Sequence, residues 1–170
     1  MRTYTQEEIE QLITCPKQIA EPPKKEWRIE RGSKRKDMTL VATADKKEFT
    51  VFIRVNVDFE ENFSVGLEYN PKEEKGTFCL LRCNGPHGEF IGGDSAPSVH
   101  FRYHIHKAKA ENIEAGMRPE RGAEPTDKYA SYRDALRVFL ETIGVTNMDE
   151  YFPDLRQMAL ALDERKEPQE

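Results

Sequence analysis

The sequence predicts an α+β domain: a mostly antiparallel sheet with C-terminal helices packed on one face. Two observations carry this. Short runs with apolar residues at every second position recur from Trp27 to His106, and apolar residues at helical spacing precede and follow them. Strands grouped between helices, rather than alternating with them, argue for α+β over α/β. A chain of 170 residues suits a single domain, expected over 1–163 with an acidic tail at 164–170.

The elements follow in order. Thr5 and Glu8 form the T-x-x-E pattern of a capping box, and Ile9, Leu12 and Ile13 make one apolar stripe, so a short helix starts the domain and ends near Pro16. Residues 17–25 hold Pro22 and Pro23 and read as a connector. Trp27 and Ile29, then Met38, Leu40 and Ala42, alternate as two short strands. The best strand is Phe49 to Asp58: Phe49, Val51, Ile53, Val55 and Val57 face one way, Thr50, Phe52, Arg54 and Asn56 the other. Phe63 to Tyr69, Thr77 to Asn84 and Ser98 to His106 complete the sheet. Lys107 to Ala115 suits two helical turns, stopped by Gly116. Ser131 caps the strongest helix, with Ala135, Leu136, Phe139, Leu140 and Ile143 on its buried face and Gly144 as stop. Leu155, Met158, Ala159 and Leu162 predict a last amphipathic helix.

Composition narrows the class. Charged residues make up 34% of the chain and the net charge is -5. No apolar run is long enough to span a bilayer, the polar start is not a secretory signal, and no membrane partner is expected. Three cysteines, Cys15, Cys79 and Cys83, lack metal-type spacing; they fit a reducing cytoplasm, with Cys79 and Cys83 as small core residues. Residues 145–170 carry seven acidic against three basic side chains, so most of the negative charge lies there. The stretch 24–36 carries seven basic residues against Glu26 and Glu30. It reads as a solvated hairpin with charged edges or as a patch that tracks an RNA backbone.

All four histidines lie between 87 and 106. In an extended strand His100, Arg102, His104 and His106 share one face, about 6.5–7 Å between alternate side chains. The bend Arg82-Cys83-Asn84-Gly85-Pro86-His87-Gly88 would wall the same cleft if its strand lies next to them. Histidine with a pKa near 6.5 serves as base or acid at neutral pH. Metal-free RNA cleavage needs one imidazole to take the 2′-hydroxyl proton, another to protonate the leaving 5′-oxygen, and a guanidinium on the phosphorane. No phosphate-binding loop, G-x-S-x-G or H-E-x-x-H offers a rival set. The residues therefore predict a metal-independent endoribonuclease with His87, His104 and His106 as catalytic candidates. Arg54, Arg82, Asn84, His100 and Arg102 would hold substrate, with no cofactor. Two alternatives stay open: a non-enzymatic binding or regulatory protein of a mobile element, and a metal centre in which the H-x-H pair is joined by His87, His100, Cys83 or Asp94.

The runs Phe49–Arg54, Phe63–Leu67, Asn84-Gly85-Pro86-His87-Gly88 and His104-Ile105-His106-Lys107-Ala108, with Ala123–Thr126 and Ala135–Leu140, resemble a family of uncharacterised bacterial proteins over about residues 27–143. More distantly, N-x-P-H followed by H-x-H is similar to the TumE-type ribonuclease toxins of bacterial toxin–antitoxin modules. Asn84, Pro86, His87, His104 and His106 match that pattern. Cys83 stands where those toxins carry aspartate, Gly85 replaces alanine, the intervening loop is longer, and the helical segment after 110 is additional. The resemblance implies an RNA substrate and an antitoxin protein as partner.

Overall fold

A computed structural model describes residues 3–72, 76–88 and 98–155. The first helix, α1 (Gln6–Thr14), starts as the sequence predicts. The Thr5 hydroxyl accepts from the Glu8 N–H, and the Glu8 carboxylate accepts from the Thr5 N–H. Ile9, Leu12 and Ile13 are its buried face. The chain then enters β1 (Lys17–Glu21), which corrects the expected connector. The remaining strands are β2 (Arg28–Glu30), β3 (Ser33–Ala42), β4 (Glu48–Asn56), β5 (Phe63–Asn70), β6 (Phe78–Asn84), β7 (His104–Lys107) and β8 (Glu124–Pro125). Between β7 and β8 lies α2 (Ala110–Glu114); α3 (Tyr132–Thr142) and α4 (Met148–Tyr151) follow.

Among the described residues the eight strands form one antiparallel sheet, in the order β1-β3-β4-β5-β6-β7-β8, with β2 on the outer half of β3. Period-two alternation puts Phe49, Val51, Ile53 and Val55 of β4 beside Phe63, Val65 and Leu67 of β5 on the core face. A register shift in β5–β6 pairs Leu67 with Leu81 and Glu68 with Cys79. Leu80 is the extra residue, and both leucines are buried. Helix residues join the same cluster: Ile9 and Ile13 from α1, Ala135, Leu136, Phe139 and Leu140 from α3. Tyr4 meets Phe78, and Tyr132 meets Phe63 edge-on.

Two elements differ from expectation. Residues 98–106 are not one strand: Val99–Phe101 is a 3-10 turn, and extended pairing begins only at His104. Strand β7 runs on to Lys107, so the helix after it starts at Ala110. The last expected helix, beyond Leu155, and the tail at 164–170 lie outside the described residues, as does Asp94.

Lys17 ties both helix ends to the sheet. Its ammonium is fully buried and donates to the carbonyls of Ile13 (2.8 Å), Cys15 (2.9 Å) and Ile143 (3.0 Å), while lying over the Phe49 ring. Three N–H bonds meet three carbonyls at the C-terminal ends of α1 and α3, where helices leave acceptors unpaired and carry partial negative charge. Gly144 closes α3 at φ 73°, and a Cβ there would sit 2.8 Å from the Thr14 carbonyl. Only glycine permits both that backbone and that approach. Lys17→Met keeps the stem but leaves three buried carbonyls without a donor. It should lower stability by about 2–4 kcal/mol, read as a reduced urea midpoint at unchanged slope. A loss under about 1 kcal/mol would show that the carbonyls find other partners.

Candidate functional site

Strand pairing brings the two motifs together. β6 and β7 are neighbours, with Asn84 opposite His104 and Arg82 opposite His106. Across the sheet, the register aligns Arg28, Arg35 and Arg54 with Ser64, Asn84 and His104 in one row. The chain leaves β6 through Gly85, which packs so closely that a Cβ would fall 1.7 Å from the Glu61 carbonyl. The His87 N–H then bonds the His100 carbonyl (2.8 Å), which draws the 3-10 turn against the bend. His100 thus reaches the cluster from the turn, not from a strand row.

The four imidazoles form one cluster. Ring centroids are 5.0 Å apart for His87–His104, 5.1 Å for His87–His100, 4.9 Å for His100–His104 and 5.1 Å for His104–His106. Asn84 sits among them. Its Oδ1 accepts from the Ser64 hydroxyl (2.9 Å), and its Nδ2 lies 3.3 Å from both His87 Nε2 and His104 Nε2. His104 Nδ1 lies 2.7 Å from the Arg102 carbonyl, and His106 Nδ1 lies 3.2 Å from the Glu120 carbonyl. A carbonyl only accepts, so both Nδ1 atoms carry the proton and both Nε2 atoms present a lone pair. The His106 Nε2 is buried without a hydrogen-bond partner among the described residues.

A pocket of about 660 Å³ opens on this cluster. Arg82, Asn84, His87, His100 and His106 form one wall. Met117, Arg118, Glu120, Arg121 and Gly122, from the loop after α2, form the other. This second wall was not legible in the sequence, where that loop shows no motif. His104 is 0% exposed and sits behind the wall, whereas His106 lines it. Arg102 is exposed and contributes its carbonyl; Arg54 is exposed on β4, over the Phe52 ring at 4.7 Å. Neither lines the pocket. Tyr129, also unforeseen, accepts from the Asn84 N–H (3.2 Å) and donates to the His104 carbonyl (2.7 Å), bridging β6 to β7.

Burial and neighbouring charge favour the neutral form of His87, His104 and His106. Burial, with His104, His100 and Arg82 nearby, pushes His87 down to about 4. Burial and Arg82 push His106 down to about 4. Burial also lowers His104, against the pull of the Arg102 carbonyl. The Arg82 guanidinium is itself lowered by burial, and its Nε has no partner among the described residues. Burial raises Glu120, but the Arg118 ion pair outweighs it and keeps the carboxylate ionised. Burial pushes the Cys79 and Cys83 thiols up to about 12; Cys83 is a core residue as expected, whereas Cys79 is only partly buried and lies outside the core cluster. Among the described residues all cysteines are free.

His87 and His106 should titrate near pH 4, and His104 and His106 should show the Nδ1–H tautomer, both read by long-range 1H–15N NMR. A depressed histidine binds fewer protons folded than unfolded. Stability is therefore level above about pH 6.5 and falls as pH drops toward 4; the urea midpoint should follow, with a shallower fall in His106→Gln. Tyr129→Phe leaves the Asn84 N–H and the His104 carbonyl without their bridge, which should cost about 1–3 kcal/mol in urea unfolding; an unchanged midpoint would remove Tyr129 from the site's support. No known protein family, curated protein or solved structure matches the chain.

Proposed function

We propose that the pocket binds and cleaves RNA, as the endoribonuclease toxin of a two-protein module whose partner antitoxin blocks it. The single observation that supports this is the cross-strand row Arg28–Arg35–Arg54–Ser64–Asn84–His104, which runs over one sheet face into the histidine pocket. Neighbouring strands are about 4.8 Å apart, so Arg54 lies about 14 Å from His104. Arg28 and Arg35 are partly neutralised by Glu30 and Asp37, and Arg54 has no ion pair among the described residues. A single strand laid along the row meets guanidinium groups first and imidazoles last. Overall negative charge does not oppose such local binding, because exposed charges are screened beyond about 8–10 Å.

His106 is the substrate-facing base in this reading. Its Nε2 lone pair takes the proton from a 2′-hydroxyl, O2′ attacks phosphorus, and the P–O5′ bond breaks. The leaving 5′-oxygen receives a proton from His87 on the same wall, giving a 2′,3′-cyclic phosphate and a 5′-hydroxyl. Arg82 meets the charge that builds on the non-bridging oxygens. His104, buried behind both, positions them. A phosphodiester bound beside His87 raises its proton affinity, which offsets the burial that lowers it in the free protein.

His106→Ala should reduce cleavage of a labelled RNA by about 10²–10⁴-fold with the circular dichroism unchanged. Arg54→Ala should weaken RNA binding at all sequences and reduce the slope of log affinity against log salt by about 1. RNA bound but left intact by the wild-type protein would favour a non-enzymatic binding role. RNA neither bound nor cut would sink the proposal.

A further inference from the structure

We propose that His87, His100 and His104 form a binding site for one divalent transition-metal ion. One ring nitrogen from each lies within 4.8 Å of the others, and His100 Nδ1 is 3.2 Å from His104 Nε2. Metal–imidazole bonds of about 2.0–2.1 Å in tetrahedral geometry place ligand nitrogens about 3.3 Å apart. The His100–His104 pair already has that spacing, and His87, whose nitrogen lies within 4.8 Å of both, closes the site by moving inward.

Hydrogen bonding argues the same way. His104 Nδ1 is committed to the Arg102 carbonyl, so Nε2 offers one in-plane lone pair. Two nitrogens crowd that lone pair, Asn84 Nδ2 at 3.3 Å and His100 Nδ1 at 3.2 Å. If His100 carries its proton on Nδ1, one acceptor serves two donors. If it carries it on Nε2, two lone pairs face each other. A cation shared by the imidazoles removes the conflict, replacing the Asn84 amide as the partner of His87 and His104. The Arg102 carbonyl then does what a carbonyl behind a metal-bound histidine does: it fixes the tautomer and the ring. His87 and His100 line the pocket while His104 lies behind them, so a metal held by all three keeps an open side toward the pocket. Three nitrogen ligands suit zinc, cobalt, nickel or ferrous ions and disfavour magnesium and calcium. With the ion in place His87 is a ligand and holds no proton for the leaving oxygen, so the metal-bound form is a state separate from the acid–base reading, and the site stands without that reading.

The test needs no RNA. Full-length protein, stripped with a chelator, is titrated with Co²⁺ and with Zn²⁺. One equivalent should bind, Co²⁺ should give visible ligand-field bands, and Mg²⁺ should not compete. His100→Ala, half-buried on the 3-10 turn, should lose affinity by more than the ~10–100-fold usual for second-shell changes. His87→Gln should do the same, should the first variant fold poorly by circular dichroism. His106→Ala lies outside the triad and should keep one equivalent. No uptake by the stripped wild type, or equal loss in His106→Ala and His100→Ala, would overturn the site. RNA cleavage that survives loss of the metal would leave the proposed activity and limit the ion to a supporting role.

Discussion

The site depends on one side chain, Asn84. Its amide oxygen is anchored by Ser64 on β5 and its nitrogen stands 3.3 Å from two imidazoles, one on the bend and one on β7. Its own backbone is bridged to β7 through the Tyr129 hydroxyl. Every direction in which Asn84 points is therefore set by a different element: β5, the bend after β6, β7, and the segment before α3. The next residue must be glycine, because the Glu61 carbonyl fills the space a side chain would need. The tight passage of Gly85 under that carbonyl turns the chain sharply enough for His87 to fold back onto its own strand.

The result is a cluster rich in lone pairs and poor in positive charge. Imidazoles packed about 5 Å apart repel one another when protonated, and the half-buried Arg82 adds to that repulsion. Backbone carbonyls do the complementary work by taking the Nδ1 protons of His104 and His106. Chemistry that uses these rings as bases or as ligands is favoured by the fold. Chemistry that uses them as free imidazolium acids at neutral pH is disfavoured until an anion supplies compensating interactions.

Much of the fold was legible because it rests on local rules. The capping box at Thr5, the alternation of Phe49 to Asp58 and the serine cap at Ser131 are read from neighbours a few residues apart. Parity places His104 and His106 on one face but leaves open whether the strand before the Asn84–Gly88 bend lies beside them; the pairing of β6 with β7 answers that. What parity could not give was the 3-10 turn at Val99–Phe101: the same residues alternate acceptably as a strand, and the turn is held by the Ser98 cap, its own short-range backbone bonds and the His87–His100 bond. Strand β1 was hidden because its Lys17 is a charged residue at a buried position, a choice that makes sense only when the ends of both helices are seen around it. The far pocket wall, from Met117 to Gly122, carries no spacing signal because its place is set by where α2 ends.

Burial, rather than parity, separates the two histidines of the H-x-H pair. On a strand they are equivalent, two residues apart on one face. In the fold, Asn84, His87 and His100 crowd the His104 ring, while His106 lines the pocket. One ring is thus surrounded by other donors and acceptors, and the other keeps a lone pair without a partner among the described residues. A group whose bonds are all taken fixes geometry; a group left unpaired at a pocket wall, in spite of the cost of burying it so, is where a ligand atom or a proton must arrive. That asymmetry is why His106 is assigned to the substrate and His104 to the framework behind it, although the sequence writes them as a symmetric pair.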